Sequence, residues 1–267
     1  MDIVDAQQGQ VSGNVLFYTR PEPISPETHG ALGMNFSDTP FGFARSAHAV
    51  PLSVTEFGPA SLSFPIIFGG PEKQPLAIMS IRQNENLFIS PEGAFEDNQY
   101  IPAFIRRYPF VLANDPSNDR LVVCVDRGAP FLAVGGAVPL FEKGQPTEYT
   151  TNAIDFCSKF EGERQQTEVF VKDLLALDLF ELKQLNFTPK NADGSEGEMM
   201  KLSEYFAVDE EKLKALPMDK LQPLRDSGAL QQIYLHINSL FNWEKLLNRT
   251  LAQQVADEQA AANAVKN

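Results

Sequence analysis

Apolar and polar positions divide the chain into a strand-rich first half and a helix-rich second half. Between residues 47 and 89, short apolar runs are separated by Gly, Pro and Asn turn signals, as is typical of antiparallel strands joined by close turns. The predicted strands there are AVPLSVTEF (49–57), SFPIIFGG (63–70), LAIMSIR (76–82) and NLFIS (86–90). A further strand is predicted for VLFYT (15–19), and the proline-rich residues 20–46 are expected to be irregular chain over the sheet.

The period of the apolar residues changes at residues 100–108. Spacings of three and four place four apolar residues on one face of a short helix, which must be buried: Ile101, Phe104, Ile105 and Tyr108. Pro102 suits its first turn, and Pro109 ends it. The strands FVLAN and RLVVCVD follow, around a turn at residues 115–119. This stretch is therefore predicted to form the middle of the fold.

The second half is mainly helical. Thr150 or Thr151 is expected to cap a helix that runs to about residue 178, and Asp209 a short helix that begins at residue 210. Another helical region is predicted from Asp219, broken by Pro223 and by Ser227-Gly228, and a last helix covers about residues 229–251. Between these helices the strands LFELKQLNFTP and MMKLSEYFAVD form a hairpin around a loop at 191–194, with three apolar members in the first strand: Leu182, Leu185 and Phe187.

These elements predict an α+β fold. We expect an antiparallel sheet or partial barrel in the N-terminal half, and helices plus a β-hairpin in the C-terminal half. Residues 15–250 are expected to form one domain, and residues 1–14 and 252–267 are expected to be flexible tails.

Composition narrows the classes of function. Hydrophobic residues make up 43% of the 267 positions and charged residues 21%, which is typical of a globular protein. The formal net charge of −13 disfavours binding to nucleic acid or to an anionic membrane surface. No window is apolar enough to span a membrane, and the N-terminus lacks the features of a signal peptide. We therefore expect a soluble, cytoplasmic protein, with non-Sec export left open.

Several segments, in collinear order over about residues 15–245, resemble the SapC family, which is named for a gene linked to surface-layer (S-layer) production. They are FYTRPEPIS, AVPLSVTEF, YIPAFIRRYPFVLA, RLVVCVD, FAVDEEKLKALP and SGALQQIYLHINSL. The resemblance implies a role in surface-layer or envelope processes. A second implication comes from family members beside genes for outer-membrane nutrient receptors and halogenase-like flavoproteins, which points to a peptide or small molecule. The family brings no catalytic residues.

Arg106 and Arg107, on the predicted central helix, are the most prominent charged pair. Because a guanidinium binds a carboxylate through two parallel hydrogen bonds, the pair is a candidate for carboxylate recognition. The alternative is an internal salt bridge or a solvated face, which is common for such pairs. His48, directly before a predicted strand, is a third candidate ligand-binding residue because of its position.

Motifs for chemistry are missing from the sequence. The three histidines and two cysteines have no metal-ligand spacing, and no nucleophile, phosphate-loop or dinucleotide motif occurs. Cys124 and Cys157 are expected to be small core side chains, and His236 is expected to be a packed or capping side chain. We therefore predict no catalytic residue, no metal and no cofactor, and the chain leans away from being an enzyme.

Two classes of function remain open at this point. The first is a non-catalytic binding or assembly protein, with a protein or peptide partner, linked to surface-layer or envelope processes. The second is a small-molecule or peptide-binding protein, or an enzyme partner, linked to outer-membrane nutrient uptake. The first predicts an exposed apolar or self-association surface, and the second predicts a pocket with convergent polar groups. The sequence leaves the oligomeric state undetermined.

Overall fold

The structure is a computed structural model that describes residues 16–115, 120–187 and 200–264. The strands in these ranges are β1 (Pro21–Pro23), β2 (Leu32–Met34), β3 (Ala49–Pro51), β4 (Ile66–Gly69), β5 (Gln74–Ile78), β6 (Phe110–Asp115), β7 (Arg120–Asp126), β8 (Leu132–Val134), β9 (Val138–Pro139), β10 (Phe141–Glu142), β11 (Gln145–Pro146), β12 (Phe180–Phe187) and β13 (Met200–Val208). The helices are α1 (Pro26–His29), α2 (Phe57–Ala60), α3 (Ala103–Arg106), α4 (Glu148–Ala176), α5 (Glu210–Lys214), α6 (Met218–Asp226), α7 (Ala229–Ser239) and α8 (Asn242–Ala264).

The largest sheet has five strands in the order β12-β13-β4-β5-β3, all antiparallel. The predicted α+β class is thus confirmed, and none of the sheets in the described ranges closes into a barrel. The hairpin β12–β13 joins the sheet of the first half through the pair Phe206–Phe68. The two halves of the chain therefore share one sheet and one core. Its centre consists of side chains with no exposure, including Phe57, Phe64, Ile66, Ile67 and Phe68.

Two smaller sheets carry the middle of the chain. β7 lies between β1 and β6, and β2 lies between β8 and β9. Gly33 in β2 faces the backbone of Gly136 so closely that a Cβ atom on either glycine would clash with the other's carbonyl group. A glycine is required where two backbones approach in this way.

The central helix predicted from residues 100–108 is confirmed as the single turn α3. Phe104, Ile105 and Tyr108 are buried, and Ile101 is half-buried. The strands β6 and β7 follow as predicted, antiparallel from Phe110–Val125 onward. The predicted turn between them lies at residues that include 116–119, outside the described ranges.

The long helix α4 begins two residues before the predicted cap. Thr147 is its N-cap and accepts a hydrogen bond from Thr150 N (3.4 Å), whereas Thr150 lies in the first turn and donates to the carbonyl of Leu140 (2.7 Å). The predicted cap of α5 is confirmed, since the Asp209 carboxylate accepts from the N–H groups of Glu211 and Lys212.

Three strand predictions in the first half are wrong or only partly right. Residues 16–19 form a turn because Phe17 has a positive φ of 81°, and the N–H of Thr19 donates to the Asp126 carboxylate (3.0 Å) instead of to a neighbouring strand. The strand lies at Pro21–Pro23, within the chain that was expected to be irregular. NLFIS is a loop with an isolated bridge, Ile89–Phe95. Of AVPLSVTEF, only Ala49–Pro51 is a strand, because Ser53 and Glu56 form a capping box that starts helical turns.

The second half also departs from the prediction at four points. The predicted last helix is two helices, α7 and α8, which are separated at residues 240–241. At the start of α8, Asn242 Nδ2 donates to the carbonyls of Ser61, Phe64 and Ser239 and so fixes the break. α8 continues to Ala264, beyond the predicted end at residue 251. α6 includes Pro223 without a break. Leu182, predicted as an apolar member of its strand, is 55% exposed. The predicted loop at 191–194 lies outside the described residues.

None of the helices in the described ranges combines the length and the apolar character that crossing a membrane requires.

Candidate functional site

A cleft with aromatic walls opens between the loop after β2, the helix α3 and the first turn of α4. Its volume is about 250 Å³. Most of its lining side chains are aromatic or apolar: Met34, Phe36, Pro40, Phe41, Phe43, Ile105, Tyr108, Phe131 and Tyr149. The polar lining consists of Asn35, Ser37 and Arg106. This is the composition of a small-molecule site, in which apolar walls surround a few polar groups.

The walls of the cleft are held by contacts between rings. Phe43 stacks on Tyr108 with 4.1 Å between ring centroids, and Phe131 meets Tyr108 edge to face at 5.6 Å. Phe36 meets Tyr149 edge to face at 5.8 Å, although 68% of Phe36 is exposed. Such aromatic pairs contribute about 1 kcal/mol each beyond their burial, so the walls on the Tyr108 side are formed before any ligand arrives.

Arg106 is the charged group of the cleft. Its Nε donates to Ile101 O (2.9 Å) and one Nη donates to the Tyr100 hydroxyl (3.2 Å). Within the described ranges, no carboxylate forms an ion pair with it, and its side chain is exposed. A guanidinium has five N–H donors. Donors of Arg106 therefore remain open to a ligand.

The orientation of Arg106 depends on a chain of hydrogen bonds that leads to a buried acid. The Tyr100 hydroxyl donates to Glu56 Oε1 (2.9 Å), and the same oxygen accepts from Ala103 N (2.6 Å) at the start of α3. Burial, together with the Glu56 carboxylate, raises the pKa of Tyr100 to about 12. The phenol therefore stays protonated at neutral pH and accepts from Arg106 while it donates to Glu56.

Arg107 points to a different environment from Arg106. Its guanidinium lies 4.2 Å from the ring centroid of Phe104 and 4.6 Å from that of Phe160. Its buried Nε has no acceptor among the described residues. Successive residues of a helix point about 100° apart, so the two arginines diverge. Arg107 is not part of the cleft lining.

His48 lies away from the cleft as well. It is half-buried, and burial lowers its pKa. Its carbonyl accepts hydrogen bonds from Met79 N (2.7 Å) and Ser80 N (3.1 Å), which extends the pairing of β3 with β5. Of the three residues predicted to bind a ligand, the structure brings only Arg106 to the cleft.

Comparison with protein families identifies the chain. The model described as SapC matches residues 24–246, a range that includes every residue of the cleft. The chain belongs to the SapC family. Comparison with curated proteins and with solved structures returned no match.

Two buried acids that support the cleft of this SapC-family chain are absent from the residues that the sequence predicted to bind a ligand. Glu56 and Asp126 are 4% and 0% exposed, and each accepts hydrogen bonds from distant parts of the chain. Asp126 was visible only as the acid that ends the apolar run RLVVCVD, and Glu56 as the last polar residue before Phe57. Each carries the signal of a carboxyl group inside an apolar stretch, which is a reason to expect a buried network.

Asp126 fixes Tyr108, the central ring of the cleft. Its carboxylate accepts from the Tyr108 hydroxyl (3.0 Å) and from the N–H groups of Thr19, Arg20 and Gly128. Burial alone would raise the pKa of Asp126, but these hydrogen bonds outweigh it, and the pKa is lowered. Burial, and then the Asp126 charge, raises the pKa of Tyr108. The hydroxyl is thereby committed to the network.

The two thiols of this SapC-family chain lie in surroundings that keep them protonated. Cys124 and Cys157 are free and buried, and burial raises the pKa of each thiol to about 11. A protonated, buried thiol is a poor nucleophile. Among residues 16–115, 120–187 and 200–264, no three His, Cys, Asp or Glu side chains are grouped so that they could hold a metal ion.

Proposed function

We propose that this protein is a non-catalytic binding protein whose cleft takes an apolar or aromatic carboxylate. The observation that supports this proposal best is Arg106, a cation without a carboxylate partner in the described residues, at an aromatic cleft of about 250 Å³. Of the two classes left open by the sequence, this favours the small-molecule or peptide-binding function.

The chemistry of the ligand follows from the walls. An aromatic or branched apolar group would pack against the wall that Phe43, Tyr108 and Phe131 form, where further ring contacts are available. Its carboxylate would then meet the free N–H groups of Arg106, which bind a carboxylate in the plane of the guanidinium. A cationic or purely apolar ligand would leave the positive charge of Arg106 without an anionic partner.

The non-catalytic part of the proposal rests on the state of the titratable groups. Tyr108 in the lining donates to Asp126 and has a raised pKa, so it is not available as a base at neutral pH. Tyr149 also has a pKa raised by burial. Arg106 cannot act as a base, since an arginine does not lose its proton in proteins.

The test compares one carboxylate with its uncharged analogue. Isothermal titration calorimetry with 3-phenylpropionate should show binding, and 3-phenylpropanol should bind at least about tenfold more weakly, because a hydrogen bond to a charged group contributes roughly 1.5–3 kcal/mol. Arg106→Gln should lose the difference between the two probes, and Arg106→Lys should keep part of it.

Arg225→Gln is the matched control. Arg225 is an exposed arginine of α6 that takes no part in the cleft, and the variant should bind like the wild type. Equal affinity for the acid and the alcohol, or an Arg106→Gln variant that binds the acid as the wild type does, contradicts the proposal. If NMR spectra recorded over a day show that the protein converts the probe into a product, the non-catalytic part of the proposal is contradicted.

The same chemistry has two sources, a free small molecule and the C-terminal residue of a peptide. The tripeptide Gly-Gly-Phe and its C-terminal amide separate them, since only the free acid offers the carboxylate. Tighter binding of the tripeptide acid than of 3-phenylpropionate would assign the cleft to a peptide, and the reverse result to a small molecule.

The cellular setting is also part of the proposal. Family membership supports a link with surface-layer or envelope processes, or with outer-membrane nutrient uptake, and the sequence favours a cytoplasmic location. Immunoblots of cytoplasmic, envelope and medium fractions from the native host should find the protein in the cytoplasm. A majority in the envelope or the medium contradicts that location.

A further inference from the structure

The strand β12 forms an edge of the five-stranded sheet. It pairs with β13 on one side, and in the described ranges no other strand pairs with it. Its eight residues run from Phe180 to Phe187. An edge of this length presents unpaired N–H and C=O groups, which are able to pair with another strand.

The register shows which main-chain groups of β12 face outward. Leu179 O accepts from Asp209 N (2.8 Å), so the ladder with β13 is bonded at the odd-numbered residues, through Glu181–Ala207 and Lys183–Tyr205. On β13, Val208 N turns away from β12 and bonds to His236, as this alternation requires. The N–H and C=O groups of Leu182 and Gln184 therefore point to the free edge.

The side chains along this edge carry a self-complementary pattern. Glu181 and Lys183 lie on one face of the strand, with 2.9 Å between Lys183 Nζ and Glu181 Oε1. Leu182, between them on the other face, is 55% exposed. Two copies of a strand with the order acid, apolar residue, base can pair antiparallel with the apolar residues opposite each other. Each acid then faces the base of the other copy.

We propose that β12 is the interface with a second copy of this chain. The two β12 strands would pair antiparallel around a twofold axis at Leu182, which makes one continuous sheet of two five-stranded sheets. Leu182 would face Leu182 of the second copy, and each Glu181 would face Lys183 of the other. The outward groups of Leu182 and Gln184 would gain main-chain partners. This proposal goes beyond the cleft and does not depend on its ligand.

The charges favour a second copy over an unrelated strand. A lysine on an edge strand normally discourages pairing, because a foreign strand leaves the ammonium without a partner. A second copy brings Glu181 to that position. A register centred on Gln184 would place Lys183 opposite Leu185 and lose this match, so the charges also select the register.

The length of the pairing is limited at both ends. Lys212 Nζ lies 3.5 Å from Phe180 O and bonds to Asp178, which occupies one end of the edge. The register of β12 with β13 shifts between Leu185 and Asn186, which disturbs the other end. Residues 180–184 remain for the pairing, because the carbonyl oxygen of Phe180 has a second lone pair for the N–H of Gln184 in the second copy. This length is close to that of an average strand of about five residues.

Analytical ultracentrifugation over a concentration series tests the association. The wild type should form dimers. Leu182→Lys should weaken dimerisation about tenfold or more, because it places two like charges opposite each other at the axis. Lys183→Glu should also weaken it, and the double variant Glu181→Lys/Lys183→Glu should restore it, since the reversed pair is again self-complementary.

A wild type that stays monomeric at every concentration overturns the proposal. So does a dimer that Leu182→Lys and Lys183→Glu leave as tight as the wild type while circular dichroism shows folded protein. The double variant guards against misfolding, because its recovery requires the charges to meet across the interface. Arg106→Gln should leave dimerisation unchanged, which keeps this test separate from that of the cleft.

Crosslinking tests the register. In Leu182→Cys, the two new thiols would lie across the axis at about 5.5 Å between Cα atoms. A short bismaleimide should therefore join them. The two Gln184→Cys thiols would be offset by four residues along the paired strands, about 13 Å, and should not react together. Both native cysteines are buried and leave the background low. Efficient crosslinking of Gln184→Cys but not of Leu182→Cys contradicts the register.

Discussion

The imidazole of His236 connects β13 to β4 through Val208, whose N–H donates to Nε2 (3.1 Å). On its other side, Nδ1–H donates to the carbonyl of Ile66 (2.9 Å). The register Phe206–Phe68 would place Val208 directly opposite Ile66, so the ring stands where a direct ladder bond would lie. Ser239, one turn along α7, accepts from Ile66 N (2.9 Å). The helix thus completes the pairing of two strands from different halves of the chain.

Replacing His236 by phenylalanine should destabilise the protein strongly. The ring would keep its place beside Phe68 but leave Val208 N–H and Ile66 C=O without partners in the core. Each unsatisfied buried group costs about 1–3 kcal/mol, so we expect the free energy of unfolding, measured in urea, to fall by roughly 3 kcal/mol. Asn238→Ala, an exposed change on the same helix, should alter it by less than about 0.5 kcal/mol.

His236 should also make the stability depend on pH. Burial lowers its pKa from 6.5 to about 3 in the folded state, whereas the unfolded chain keeps the ordinary value. The unfolded state therefore binds the proton first. The contribution of the neutral ring is complete above pH 6.5 and is lost as the pH falls toward 3, by about 1.4 kcal/mol for each unit.

The measurement is the difference in unfolding free energy between wild type and His236→Phe at pH 7, 6, 5 and 4. The difference should shrink steadily below pH 6.5, because the variant has no ring to protonate. A constant difference over this range would contradict the lowered pKa of His236.

The sequence predicted the fold best where a single local pattern decided the outcome. Spacings of three and four identified α3, and the apolar runs before Gly69 and after Pro109 gave β4 and β6. It failed where a distant partner decided. VLFYT has strand-forming residues, but Thr19 bonds to Asp126, which lies 107 residues away. The split between α7 and α8 depends on Asn242, which reaches carbonyls near residue 61.

Asp126 should contribute to stability in a different pH range. Its lowered pKa means that the contribution is complete above its ordinary value of 3.8 and is lost as the pH falls through the folded-state value. Asp126→Asn should lose roughly 2–3 kcal/mol at pH 7, because an amide NH₂ would face the donors Thr19 and Arg20 or Tyr108. Tyr108→Phe, which removes one donor, should lose about 1 kcal/mol in the same urea titration. Equal losses in the two variants would contradict the central role of the carboxylate.

The candidate site was only partly accessible from the sequence. Arg106 was selected because guanidinium groups recognise carboxylates, and it does line the cleft. Arg107 has the same chemistry, but its position directly after the last residue of α3 turns it onto Phe104 and Phe160. The aromatic walls come from residues 36, 41, 43, 108, 131 and 149, which no local pattern connects. Only the packing of α3, the first turn of α4 and the chain that follows β2 and precedes β8 brings them together.

Gly33 and Gly162 allow a comparison of the same Gly→Ala substitution at a crowded position and at an open one. Gly33 in β2 lies against the carbonyls of Gly136 and Val138, and an added Cβ would stand 2.8 Å from Val138 O. Gly33→Ala must push β9 away from β2, and we expect a loss of about 2 kcal/mol or more in unfolding free energy. Gly162 lies inside α4, and a Cβ there would have no atom within 4 Å. Gly162→Ala should therefore raise the unfolding free energy by up to about 1 kcal/mol, since alanine favours a helix over glycine. Measured in one urea series, the two substitutions should therefore change the unfolding free energy in opposite directions. A stabilising Gly33→Ala would contradict the close approach of β2 and β9.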